Sequence, residues 1–126
     1  MEIRKYRKAD EASLFDLLVS EGDEWSDYHG VGREKYIKAL ESSITYVAWD
    51  DALVCGYARC REDDGLGVYV YDLLVRKTHR GRLIGKSLME RVCRDFPGQP
   101  VYVMSDADSY YEKLGYPKEG SIFRLT

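Results

Sequence analysis

The residues of this chain whose types and spacing could do chemistry fall in four places. Arg80-Gly81-Arg82-Leu83-Ile84-Gly85-Lys86 gathers arginine, lysine and glycine in one short run. That composition can hold a phosphate, because glycine lets the backbone approach closely and guanidinium adds charge-assisted hydrogen bonds. Standing alone, such a run is more often a surface turn with solvated arginines. Asp72 is the only carboxylate inside the apolar run Val68–Val75. Burial disfavours its charged form and would suit it to take a proton from an ammonium, directly or through water. Bonding to a neighbouring strand, or to an arginine such as Arg59, is the equal alternative. Between Glu21 and Gly30 the chain sets Asp23, Glu24 and Asp27 around Trp25 and Tyr28. Carboxylates attract an ammonium and an aromatic face adds a cation–π contact, so this lining suits a cationic substrate, although a solvated acidic loop would look the same. Lastly, Tyr110 and Tyr111 are neighbours. One step is about 100° around a helix axis, so only one of the two phenols can face a given reacting atom.

These residues need elements to position them. Val68–Val75 is β-branched, aromatic and apolar on both faces, as expected of a central strand covered on both sides. After the basic run, Ile84, Leu88, Val92 and Phe96 recur every fourth residue beside Met89 and Cys93, which predicts a helix packed on the sheet. Its N-terminus would leave N–H groups unpaired at the positive end of the helix dipole, which strengthens the case for an anion at Arg80–Lys86. His79 beside this loop would contact the anion or be exposed, and His29 would lie against substrate or at the surface.

Glu2 to Tyr6 alternates as a strand does, and a helix with Leu14, Phe15, Leu17 and Leu18 on one face follows until Gly22. The stretch from Glu21 to Gly30 has no stable period and is expected to be a loop. A helix from Gly32 to Ser42, strands over Ile44–Trp49 and Ala52–Arg61 with a turn at Asp50-Asp51, and an acidic turn from Glu62 to Gly67 come next. Beyond the central helix, Val101–Met104 predicts a short strand, Ala107–Leu114 a helix closed by Gly115, and Ile122–Leu125 a last strand. The predicted order is β-α-α-β-β-β-α-β-α-β, a mixed sheet with helices on both faces.

Composition bounds the rest. The 126 residues suit one domain spanning the chain, with a hydrophobic share of 44% and a charged share of 33% typical of a soluble globular protein. No apolar run approaches the roughly 20 residues of a membrane span, so no membrane partner is expected. Glu2, Arg4, Lys5, Arg7 and Lys8 crowd the N-terminus with no apolar stretch behind them, unlike a signal peptide, so the cytoplasm is the expected compartment. Three cysteines in apolar surroundings suggest reduced thiols, and their spacing resembles no metal site. A net charge of −3 and a pI near 5.4 count against a nucleic-acid partner, and the eleven tyrosines then serve core and pocket rather than base stacking.

Two stretches together, RGRLIG at Arg80–Gly85 and ADSYYEKLGY at Ala107–Tyr116, resemble the GNAT superfamily of acetyl-CoA-dependent N-acetyltransferases. Its loop has the form [RQ]-x-x-G-x-[GA]; Arg80 and Gly85 match the outer positions, and Leu83 stands where the inner glycine is usual. Its second motif, A-x-x-[FL]-Y-x-K-x-G-[FY], matches except that Tyr110 replaces Phe or Leu, and an asparagine common upstream is absent.

The resemblance implies a GNAT-like α/β fold with a central mixed sheet flanked by helices, and acetyl-CoA as cofactor. It places the pyrophosphate on Arg80, Gly81, Arg82, Leu83, Ile84, Gly85 and Lys86, and the pantetheine arm on backbone groups of Leu74 and Val75, where the central strand splays from its neighbour. It gives Tyr111 the position of the general acid that protonates the leaving thiolate, with a core tyrosine of an amphipathic helix as the lesser alternative. Asp72 lies near the place of the family's carboxylate base, though many members use water instead. The segment carrying Asp23, Glu24, Trp25, Asp27 and Tyr28 would border the site for a small-molecule primary amine. Relatives of this size often pair as homodimers. Against the active enzyme stand two other classes of protein: an acyl-CoA-binding or regulatory domain without turnover, and an interaction protein with no cofactor.

Overall fold

A computed structural model describes all residues, 1–126. The chain forms β1 (Glu2–Lys5), α1 (Glu11–Glu21), α2 (Ser26–His29), α3 (Arg33–Ser42), β2 (Ile44–Asp50), β3 (Leu53–Glu62), β4 (Val68–Val75), α4 (Ile84–Asp95), β5 (Val101–Val103) and α5 (Asp108–Lys113). Short 3₁₀ turns occupy Lys8–Asp10, Asp23–Trp25 and Lys77–His79. The sheet runs β1-β2-β3-β4-β5, antiparallel until β5, which lies parallel to β4. A parallel neighbour needs a crossover, and α4 supplies it.

Each face of the sheet has its own core. On one, Leu14, Leu17 and Leu18 of α1 and Tyr36 and Leu40 of α3 cover Val47, Tyr57 and Leu74. On the other, Ile84, Leu88 and Val92 of α4 cover Tyr46, Ala58, Val68 and Val70. The fourfold spacing in α4 therefore does what its sequence implies, as the expected mixed sheet with helices on both faces requires.

The central strand contains an irregularity that positions the site. Arg59 pairs with Asp72 but the next residue, Cys60, pairs with Val70, so Tyr71 is an extra residue on β4. Such a bulge reverses which face later residues occupy. Val68 and Val70 point toward α4, but beyond the bulge Leu73 and Val75 take that face and Leu74 joins the core under α1 and α3. Were Tyr71 instead paired in regular alternation, Asp72 would share the face of Val68 and Val70 and point into the core beneath α4. The same region ends the pairing with β5, which is limited to Val68–Val70 against Val101–Val103. From Tyr71 onward, the β5-side edge of β4 is open.

Two expectations need correction. Glu21–Gly30 is not an open loop but a 3₁₀ turn followed by α2. Its aromatic residues order it: Trp25 meets Tyr57 edge-on at 6.3 Å and Tyr28 at 5.4 Å, and Tyr28 stacks on Tyr36 at 4.1 Å. The strand expected at Ile122–Leu125 does not form, and Ile122, Phe123 and Leu125 are exposed. Alternating apolar residues favour a strand only where an edge pairs with them, and the sheet ends at β5.

Candidate active site

A cavity of about 380 Å³ lies against the open part of β4. Asp72 and Leu73 line it from β4, Glu24, Trp25, Asp27 and Tyr28 from the segment between α1 and α3, and Tyr111 from α5. The structure thus gathers both candidate catalytic residues and four of the five candidate acceptor contacts; Asp23 is not among the lining residues. Tyr71, Met104, Ser105 and Asp106 complete it. Asp106 escaped the sequence reading because it lies in the short connection from β5 to α5, away from the acidic segment, although a carboxylate just before the Ala107–Tyr116 motif was a usable signal.

Asp72 is the hub beneath this cavity. Its side chain is only 5% exposed, and Oδ2 accepts hydrogen bonds from Tyr36 Oη and Arg59 Nε, both at 2.6 Å. Tyr28 Oη donates to Oδ1 at 3.2 Å, and Tyr57 Oη donates to Tyr36 Oη at 2.6 Å. Of the two readings open for Asp72, the ion pair with Arg59 is present. A carboxylate carrying three donors is poorly placed to act as a free base. Burial opposes the charge on Arg59, but the hydrogen bond and ion pair to Asp72 outweigh it and raise its pKa. Burial, then the Asp72 charge, pushes the phenols of Tyr36 and Tyr28 above the ordinary tyrosine range. Tyr57 is pushed well above that range, chiefly by burial.

On α5 the two tyrosines part as the 100° step requires. Tyr111 faces the cavity, and burial, with smaller contributions from Tyr110 and Asp106, pushes its pKa up to about 12. Tyr110 instead approaches α4: a Cβ on Gly85 would lie 2.3 Å from Tyr110 Oη. The absence of a side chain at Gly85 therefore makes room for α5, whereas the sequence suggested only room for phosphate.

The basic loop supports an anion with its backbone more than with Arg80. No side chain caps α4, and the first amide bonded within it is Ser87 N, to Leu83 O at 3.0 Å, so the amides of Ile84, Gly85 and Lys86 are free. Leu83 sits at φ 60° and its side chain is exposed. This left-handed position explains why glycine suits it and why leucine carries about 1–2 kcal/mol of strain there. Gly81, at φ 83°, makes the other left-handed turn. Arg82 is exposed and Lys86 pairs with Glu90 at 3.6 Å. Arg80, however, pairs with the buried Glu21 carboxylate, and its Nε donates to Val75 O at 3.0 Å. One of the two backbone positions expected to bind pantetheine is therefore held internally, and the other, Leu74, has its side chain in the core. Residues 21 and 80 are too far apart in sequence for this pairing to be foreseen.

The histidines are structural in this arrangement. His79 is buried, not exposed, and its Nε2 lies 2.9 Å from Asp50 Oδ2, tying the loop to the β2–β3 turn. That bond is also the main reason the Asp50 pKa is lowered. His29 Nε2 lies 3.0 Å from Gly22 O and helps close the acidic segment.

An open edge of β4, an uncapped helix behind a basic loop and a tyrosine facing a carboxylate-lined cavity thus lie in one region of the fold. The profile of the acetyltransferase (GNAT) domain matches residues 41–118, more than half the chain, and the protein belongs to this family of acetyltransferases. Among solved structures, an aminoglycoside acetyltransferase from an uncultured soil metagenomic sample superposes with a TM-score of 0.73 at 22% identity, covering 99% of this chain and 97% of its own. A GNAT family protein from Streptococcus pneumoniae TIGR4 gives 0.69 at 23% identity, with 98% and 96% covered. A ribosomal-protein-alanine N-acetyltransferase from Brucella melitensis biovar Abortus 2308 gives 0.76 at 16% identity, with 100% and 99% covered. At these identities the structures establish a shared fold. No helix is long and apolar enough to cross a membrane.

Proposed function

We infer that the protein transfers an acetyl group from acetyl-CoA to a primary amine of a small cationic molecule held in the cavity beside β4. The observation that carries this is the meeting of Tyr111, Asp72 and the acidic aromatic segment in that one space. The free amides of Ile84, Gly85 and Lys86, with Arg82 beside them, suit the cofactor's pyrophosphate. When bound, acetyl-CoA would supply an activated acyl group on sulfur. Leu73 and Leu74 on the open edge of β4 would orient the arm that carries it, and Val75 would join them once its carbonyl is released by Arg80.

Tyr111 is the proton source. With its pKa near 12 it holds its proton at neutral pH and donates it at Oη to the departing sulfur. Glu24, Asp27 and Asp106 ring the cavity with negative charge, and among the lining residues there is no lysine or arginine to oppose them. They draw in an ammonium, which Trp25 and Tyr28 flank with aromatic faces. Asp72 orients Tyr28 and Tyr36, and the ammonium proton leaves to water in the open cavity. The fold relative named as an aminoglycoside acetyltransferase supports a small-molecule amine as acceptor.

The test is a titration of the protein with acetyl-CoA by calorimetry, followed by a thiol-release assay against a panel of amines. Turnover confined to cationic amines is expected. Binding without release across the panel would instead favour an acyl-CoA-binding domain, and no binding would remove the cofactor assignment.

A further inference from the structure

The phenol of Tyr110 has no role in the cavity, and where it lies gives it one. Its Oη is 2.3 Å, and its Cζ 3.4 Å, from the place a Gly85 side chain would begin, and Val75 Cγ2 lies 3.6 Å from the same point. The hydroxyl therefore lies against Gly85 in the first turn of α4, beside the Val75 side chain at the end of β4, and the amides of Ile84, Gly85 and Lys86 in that turn are free. Tyr110 is 39% exposed, and burial and Tyr116 are what raise its pKa, with no side-chain hydrogen bond contributing. It is a protonated donor without a side-chain acceptor, and Tyr111 is turned a third of a circle away toward the cavity. Van der Waals packing on Gly85 would be served as well by phenylalanine, so the hydroxyl is what needs explaining.

We propose that Tyr110 is a cofactor-contacting residue whose hydroxyl donates a hydrogen bond to the pyrophosphate of acetyl-CoA, beside the amides of Ile84, Gly85 and Lys86. The paired tyrosines then serve opposite ends of the cofactor arm, Tyr111 the sulfur and Tyr110 the phosphate. The donor also compensates for Arg80, whose guanidinium is taken by Glu21 and Val75. This assignment rests on the acetyl-CoA reading above.

The experiment compares the parent with Tyr110→Phe on the whole chain, measuring affinity by calorimetry for acetyl-CoA and by NMR titration to millimolar concentration for S-acetylpantetheine, which lacks the pyrophosphate. A hydrogen bond to a charged acceptor at a partly exposed position predicts about a tenfold weaker Kd for acetyl-CoA. S-acetylpantetheine should bind both proteins alike, whether weakly or below detection. An unchanged Kd for acetyl-CoA overturns the proposal, as does an equal loss for both ligands, which would mean that the change acts through packing or the pantetheine arm. If Tyr110→Phe does not fold, Tyr110→Leu removes the same hydroxyl and is read in the same way. A parent that binds no acetyl-CoA would instead refute the cofactor reading itself.

Discussion

Replacing Asp72 with asparagine separates a structural hub from a catalytic base. Asparagine keeps the shape and one oxygen, but its amide N–H groups must face donors that now converge on the carboxylate: Tyr36 Oη, Arg59 Nε and Tyr28 Oη. The heavier consequence falls on Arg59, whose side chain is 13% exposed and has Asp72 as its only ion-pair partner. Its other hydrogen bond is from Nη1 to Ser43 Oγ at 3.1 Å, which does not neutralise it. Removing one member of a buried ion pair costs about 3–5 kcal/mol, against a total stability of about 5–15 kcal/mol for a domain. At roughly 3–5 °C per kcal/mol for a chain of this length, the melting temperature should fall by about 10–20 °C. Circular dichroism melts and acetyl-transfer kinetics on the same samples provide the assay. Adding Arg59→Met removes the stranded charge and should restore much of the loss, since replacing a buried pair by apolar groups is often near neutral. Should Asp72→Asn melt within about 3 °C of the parent while turnover disappears, the hub interpretation is wrong and Asp72 is acting on the proton.

Tyr111→Phe should lower kcat by about 10²–10⁴-fold while the Kd for acetyl-CoA, measured by calorimetry, stays within about twofold, because the hydroxyl acts in the transition state; an unchanged kcat with chemistry rate-limiting removes Tyr111 from the mechanism. Stability should decline in alkali: Tyr36 and Tyr57 are buried with raised pKa values, so below about pH 10 both folded and unfolded chains keep these protons and the contribution is intact, whereas above it the unfolded chain loses them first. Each such phenol should then remove about 1.4 kcal/mol per pH unit, and a urea midpoint unchanged between pH 9 and 11 would contradict this. Neutralising Glu24, Asp27 and Asp106 together should raise KM for a cationic amine and flatten its salt dependence, since these carboxylates act over about the 8 Å Debye length; equal salt slopes for parent and variant would mean the acids do not steer substrate.

What could be read from the chain was what neighbouring residues determine. The fourfold spacing from Ile84 marks α4, the apolar run Val68–Val75 marks β4, and the adjacent tyrosines had to diverge. What could not be read depends on residues distant in sequence. Asp72 and Arg59 were legible as a pair, but Tyr36, which arrives from α3 to share Oδ2, carries no mark of that role in its helical spacing. Glu21, at the start of the acidic segment, is buried by the fold against Arg80 and Lys77. At the C-terminus the local signal was present and misleading, because Ile122–Leu125 has strand-forming residues and no strand beside it.

The bulge at Tyr71 links these failures to the site. A single unpaired residue turns Asp72 from the face under α4 to the face shared by Tyr36 and Tyr57, and at the same level the pairing of β4 with β5 stops. Fold and site are therefore not separable on this strand: where the register shift falls, the β5-side edge of β4 becomes unpaired and a carboxylate is aimed beneath the cavity. Regular alternation through a paired Tyr71 would keep an apolar strand but put Asp72 in the apolar core under α4 with no arginine to meet it. That the strand keeps the extra residue follows from the position of Arg59, which pairs directly opposite Asp72 in the bulged register.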